Sequence, residues 1–326
     1  MLVGMKLASM AAGLMFSSFQ GQGAEAADYA TPLHTEGSVT EYSIEEGGSP
    51  VLAGWKAEAG SQKAIILAIH GFGLHKYAFR PLAEHMRLRG VSTYALDIRG
   101  FGQWAHSAVG NRKLNLQATL ADIKDTLQAL KEQNPDTPIF LLGESMGGAL
   151  ALRAASQSPE LVAGVISSVP SGQLVNQKSL AVKVALKFLL KGGSKADIGK
   201  QLMSRATVNQ GLADLWLADS NVRLKVGRGE LLQYSKFMRS NDAVAKSLFQ
   251  TAVLIIQGKQ DRLVSPAGTV KIYEELATAD KSIVMVKDGE HLVLEEGQFD
   301  QGLLNTVSNW VDTHSAPQSA IVASNR

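Results

Sequence analysis

The sequence predicts an α/β protein, built on a doubly wound, mostly parallel, eight-stranded sheet with an inserted helical cap. Six near-continuous apolar runs of six to nine residues recur along the chain, as strands buried on both faces do. Helix-period segments alternate with them. One stretch, residues 171–250, breaks the alternation: it holds no convincing strand and has the pattern of several short helices.

The elements follow in order. From Met5 the chain runs "MKLASMAAGLMFSSF", one Lys and then a mostly apolar run, with Ala24-Glu25-Ala26 offering a small-x-small cleavage pattern. The run is shorter than the roughly 20 residues a membrane-spanning helix needs. Residues 1–27 are therefore expected to be a signal peptide and the protein to be exported, periplasmic or secreted; an uncleaved interfacial anchor or a disordered extension are the other readings. "SVTEYSI" (38–44) and "VLAGWKA" (51–57) are strands flanking the turn "EEGGSP". The buried strands are "KAIILAIH" (63–70), "VSTYALDI" (91–98), "TPIFLLG" (137–143), "LVAGVISSV" (161–169), "AVLIIQG" (252–258) and "KSIVMV" (281–286). Helices are expected over 76–89, with Tyr77, Leu82 and Met86, and over 115–132, with Leu116, Leu120, Ile123, Leu127 and Leu130. Two more are expected over 266–279 and 299–312. The core is thus 28–170 with 251–315, the cap 171–250, and 316–326 a flexible tail.

Composition narrows the function. At 326 residues the chain is long enough for one large domain, and its hydrophobic and charged fractions, 45% and 19%, fit neither disorder nor a polytopic membrane protein. A net charge of +2 implies no polyanionic partner, so no nucleic acid is expected. The absence of cysteine removes disulfides, thiolate metal sites and a cysteine nucleophile. The charge is uneven: the cap carries thirteen Lys and Arg against five acids, a net +8 that leaves −6 elsewhere.

"GESMGG" (143–148) matches Gly-x-Ser-x-Gly. Such a match arises by chance in roughly one chain in five or ten of this length, so context must decide. Here the motif directly follows an apolar strand and precedes "ALALRAA", a good helix start. A serine on such a strand-to-helix turn is held with its hydroxyl exposed, beside the free amides of a helix N-terminus. Ser145 is the candidate nucleophile. A serine hydroxyl needs a base, and the base an orienting acid, in chain order Ser, acid, His on this kind of sheet. Only His291 and His314 follow Ser145. His314 lies in the polar "THSAPQSA", where nothing is expected to hold it, whereas His291 follows strand 281–286 on the sheet's carboxyl edge, where ligands bind. Asp261, after strand 252–257, is the candidate acid; its rival Asp288 sits three residues before the histidine, where a turn role is more natural. The Met146 N–H, next to the nucleophile, and the Phe72 N–H, in "HGFGLHKY", are the candidate oxyanion donors.

"HGFG", "LDIRGFGQ", "GESMGG", "GKQDRLVSP" and "DGEHLVLEE", in that order, resemble the α/β-hydrolase superfamily, and in particular its monoacylglycerol lipase, lysophospholipase and serine aminopeptidase-like group. The resemblance spans about residues 35–312. It implies a serine ester hydrolase without cofactor or metal, with Ser145, Asp261 and His291 as triad and Phe72 and Met146 as oxyanion donors. Gln103-Trp104 departs from the pattern, since a Ser or Thr often stands two residues after "RGFG" in this group.

The expected substrate is a small acyl ester, including lipid esters. In "LAVKVALKFLLKGG" (180–193), Lys183, Lys187 and Lys191 are spaced four apart on one helix face. This is a solvated stripe or an interfacial face that touches a membrane surface transiently. A cap of +8 also argues against a substrate with a free amino terminus. Three readings remain: an exported hydrolase of acylglycerols or lysophospholipids, an aminopeptidase or amidase with the same triad, and a binding protein that retains the fold.

Overall fold

The computed structural model describes residues 31–36, 38–43, 51–106, 112–176, 195–295 and 297–315. The leader 1–27, the lysine-bearing segment 180–193 and the tail 316–326 lie outside the described residues. The first half of the chain comprises β1 (Thr31–Glu36), β2 (Val39–Ser43), β3 (Val51–Trp55), β4 (Ala64–Ile69), α1 (Arg80–Arg87), β5 (Val91–Leu96), α2 (Leu116–Gln133), β6 (Ile139–Glu144), α3 (Met146–Gln157) and β7 (Gly164–Ser168). After these come β8 (Lys195–Asp197), α4 (Gly199–Ala206), α5 (Gln210–Ala218), β9 (Lys225–Gly227), α6 (Arg228–Arg239) and α7 (Asn241–Ala245). The chain then returns through β10 (Ala252–Gly258), α8 (Pro266–Glu275), β11 (Lys281–Val286) and α9 (Gln301–Ser315).

All eight expected strands form, and a ninth, β1, extends the edge by antiparallel pairing with β2. The sheet order is β1-β2-β3-β5-β4-β6-β7-β10-β11, parallel from β5 to β11. Alternate residues of each apolar run serve opposite faces, because side chains alternate along a strand. On β4, Ile65, Leu67 and Ile69 meet α2 and α3, while Ala64, Ile66 and Ala68 meet α1 and α9. Such burial contributes about 2 kcal/mol for each large side chain. One expectation changes here: "KSIVMV" is only half-buried, because β11 pairs with β10 alone and forms the sheet's other edge.

The helices fall close to their expected spans. The Asn115 side chain accepts from the Ala118 N–H at 3.0 Å and so caps α2. The helix expected over 266–279 ends at Glu275. His314 is not in a loose tail: it lies on α9, bonded to the Trp310 carbonyl at 2.7 Å with its ring on Trp310.

Within 171–250 the helices are joined by a strand pair that the pattern did not reveal, since β8 and β9 are only three residues each. The Arg223 N–H donates to Gly73 O at 2.8 Å, and its guanidinium bonds Gly100 O and Glu230 at 3.0 and 2.7 Å. Gly73 has φ +87°, and a Cβ there would stand 2.4 Å from Leu224 Cδ2, so only glycine lets the two segments meet. The departure at Gln103-Trp104 has a local cause. Gln103 Oε1 accepts from the buried Lys76 Nζ at 2.8 Å, and Trp104 donates to the Asp97 carbonyl while stacking 3.8 Å from the Arg99 guanidinium.

Candidate active site

Ser145 is the residue between β6 and α3, at φ +56° and ψ −113°. That backbone conformation costs a non-glycine residue about 1–3 kcal/mol, so its surroundings must impose it. They do so through close backbone packing. A Cβ on Gly147 would stand 1.8 Å from Ile69 O, and one on Gly143 would stand 2.2 Å from Gly147 O. The Ser145 N–H donates to Ser168 O at 2.8 Å and its carbonyl accepts from the Ala149 N–H at 3.1 Å, tying the turn to β7 and to α3.

The structure brings Ser145, His291 and Asp261 into one line. His291 Nε2 lies 3.1 Å from Ser145 Oγ, and His291 Nδ1 lies 2.9 Å from Asp261 Oδ2. A carboxylate can only accept, so Nδ1 carries the proton and the Nε2 lone pair faces the serine hydroxyl. Asp261 Oδ1 accepts from the Leu263 and Val264 amides, each at 2.8 Å, and Gln257 Nε2 donates to Oδ2 at 3.2 Å. Burial pushes the Asp261 carboxyl up, but the His291 charge, its hydrogen bond and the two amides outweigh this and hold it below the usual range. Burial pulls the His291 imidazole down, while Asp261 and the Glu144 charge carry it above its ordinary value. Asp288 is exposed in the turn after β11.

Met146 opens α3, so its amide is among the unpaired donors of that helix N-terminus. Phe72 follows Gly71, where an added Cβ would stand 3.8 Å from Ser145 Cβ. The loop after β4 therefore runs directly beside the serine. The Phe72 ring packs on Phe101 and Tyr234, centroids 5.0 and 4.9 Å apart.

A cavity of about 350 Å³ opens on Ser145, His291 and Phe72. Its apolar walls come largely from 171–250: Ile198, Leu202, Met203, Leu231 and Met238. Among the described lining residues the charged ones are Arg205 and Arg228, with no carboxylate. Tyr234 also lines it, a residue that sequence reasoning missed because nothing in "LLQYSKF" distinguishes it from an ordinary amphipathic helix. Burial, partly offset by its contact with the Ser145 hydroxyl, pushes its phenol up to about 12, so it stays a neutral hydrogen-bonding group. Among the described residues no group of three or more His, Cys, Asp or Glu is placed to hold a metal ion.

Residues 60–298 match the family model for serine aminopeptidase, S33. A monoglyceride lipase of Rattus norvegicus is 28% identical over 280 residues, covering 82% of this chain and 88% of that protein. A monoacylglycerol lipase of Mycolicibacterium smegmatis is 23% identical over 265 residues, covering 80% and 91%. Among solved structures, a soluble variant of monoglyceride lipase from Saccharomyces cerevisiae in complex with a substrate analog superposes with a TM-score of 0.70 at 20% identity, covering 94% of this chain and all of that one. At that identity the structural likeness is one of fold.

Proposed function

The chain belongs to the serine aminopeptidase, S33, family of α/β-hydrolases, and on that premise we propose that it is a serine hydrolase of lipid-like carboxylic esters, monoacylglycerols or lysophospholipids. The observation that carries this is the apolar cavity ending on the Ser145 hydroxyl, whose described charged lining is basic alone. An acyl chain fits apolar walls, whereas the free amino group of an aminopeptidase substrate needs a carboxylate. The relatives named monoglyceride lipase support the same substrate class.

In this reading His291 Nε2 takes the Ser145 proton as Oγ attacks the ester carbonyl. The oxyanion of the tetrahedral intermediate is met by the Phe72 and Met146 amides and by the positive end of α3. His291 then protonates the leaving alcohol, and the acyl group stays on Ser145. Water, deprotonated by the same nitrogen, releases the fatty acid and restores the serine. Asp261 holds the imidazole with Nδ1–H inward and stabilises its charged form.

The leader and the cap extend the proposal. The protein is exported with residues 1–27 removed, which intact mass of the secreted or periplasmic form checks. The cap touches lipid surfaces transiently, a reading supported by exposed Val208, Leu215 and Leu232, 70%, 69% and 67% accessible. Co-sedimentation with anionic vesicles tests it.

The decisive experiment is a panel of p-nitrophenyl esters from acetate to palmitate, with monoacylglycerol, lysophosphatidylcholine and an aminoacyl-nitroanilide, for wild type and Ser145→Ala. Ser145-dependent turnover of medium or long chains is expected. Cleavage of the nitroanilide without ester turnover would replace this reading by the peptidase one. Silence on every substrate would leave a binding protein.

A further inference from the structure

Glu144, the residue before the nucleophile, is fully buried, and nothing in the reaction just described uses it. A carboxyl group in that position is costly unless donors surround it. Five donor contacts do. Oε1 accepts from the Ser168 hydroxyl at 2.8 Å, the Val293 N–H at 2.7 Å and the Leu294 N–H at 3.1 Å. Oε2 accepts from the Glu295 N–H at 3.0 Å and shares the Leu294 N–H at 3.3 Å. Three consecutive amides of the segment directly after His291 thus converge on one carboxylate, as backbone amides do around a bound anion. Burial raises the Glu144 carboxyl above its ordinary value, and the amides, Ser168 and His291 draw it down. The three amides can only donate, and Ser168 is the one partner whose oxygen could also accept, so the arrangement of donors favours the anion.

The chain of contacts continues. Glu295 Oε1 accepts from the Gly71 N–H at 2.8 Å, and Gly71 precedes Phe72. Two carboxylates therefore connect the turn that bears Ser145, the loop that bears His291 and the loop that bears the Phe72 amide.

We propose that Glu144 and Glu295 are positioning residues: Glu144 fixes the histidine loop in register with the nucleophile turn, and Glu295 passes that register to the loop carrying the Phe72 amide. This rests on the serine-hydrolase reading. The groups that face Glu144 are Ser168, the amides of 293–295 and, by charge, His291; those that face His291 by charge are Asp261 and Glu144. Glu144→Gln places an amide N–H where Oε1 or Oε2 now accepts a donor, forcing the loop away, and removes a charge that raises His291.

The test uses the full chain and two readouts: steady-state ester hydrolysis across pH, and the second-order rate of Ser145 labelling by a fluorophosphonate, which is independent of substrate class. For Glu144→Gln, kcat and labelling rate should fall about 100-fold, as a misplacement of order 1 Å would cause. KM should stay near wild type, and the acid limb of the pH profile should move to lower pH. Glu144→Asp keeps the charge and loses the reach, so kcat should fall while the acid limb stays. Glu295→Gln should be mild alone and non-additive with Glu144→Gln. Rates are normalised to sites titrated by the probe, so a poorly folding variant is compared per folded site. Wild-type rates and pH profile in Glu144→Gln, or additive effects of the two substitutions, would overturn the proposal. Normal labelling without ester turnover in wild type would sink the lipid-ester reading only; no labelling in wild type would sink both.

Discussion

Asp261→Asn should cost far more than the loss of one charge, and the surrounding contacts say why. Oδ1 accepts two backbone amides at 2.8 Å. An asparagine can satisfy both only by keeping its oxygen there, which turns its NH₂ toward His291 Nδ1. Two N–H groups cannot face each other at 2.9 Å. The imidazole must then move its proton to Nε2 so that Nδ1 can accept. Nε2, 3.1 Å from Ser145 Oγ, becomes a donor and ceases to be a base. A wrong-tautomer histidine lowers kcat by about 10⁴, or about 5.5 kcal/mol of transition-state stabilisation. Single-turnover hydrolysis of a p-nitrophenyl ester reads acylation directly, and the variant should retain KM within a few-fold. A fall in kcat below about tenfold, or a larger loss in Asp288→Asn, would refute the assignment of the acid.

Three further outcomes follow from the same structure. In the proposed reaction only neutral His291 can act as base, and its proton is held above the ordinary value of 6.5; the acid limb of kcat/KM should therefore lie above pH 6.5, and a pH series showing it lower would contradict the electrostatics. His70 is fully buried and burial lowers it to about 4. The unfolded chain then takes up that proton first, so stability should fall by roughly 3 kcal/mol as pH drops from 6.5 toward 4, less in His70→Gln, as urea midpoints at the two pH values would show. Gly147→Ala forces a Cβ to 1.8 Å from Ile69 O; the cost should be at least about 3 kcal/mol by urea titration, and a change under about 0.5 kcal/mol would mean the turn is far softer than its contacts imply.

The sheet was legible because burial on both faces leaves a direct mark on composition. Strands β4, β6 and β10 read as near-continuous apolar runs, polar only at Glu144 and Gln257 near their ends, and their short length and flanking turn residues mark them as strands. The strand pair β8 and β9 left no such mark, since three residues cannot display a period, and β1 interleaves polar and apolar residues at an edge. Ser145, His291 and Asp261, which the structure brings within hydrogen-bonding distance, each follow a strand in the sequence, and the carboxyl ends of a parallel sheet share one edge. Glu144 was in plain view inside "GESMGG", yet its role depends on where residues 293–295 pass, about 150 positions further on. Tyr234 was hidden for the same reason: which face of α6 looks into the cavity is a tertiary fact. Sequence patterns report local burial well, and report long-range pairing of single polar groups hardly at all.

The adjacency of β7 and β10 has a consequence for the life of the nascent chain. These strands pair directly, residue Val165 opposite Val253, although the whole of 171–250 is synthesised between them. The Ser145 turn leaves the ribosome after six of the nine strands of the sheet, but Asp261 sits beyond β10 and His291 beyond β11. A partly translated molecule therefore holds a serine hydroxyl with neither the proposed base nor the proposed acid beside it, and the proposed site is complete only once β11 and the loop after it have emerged.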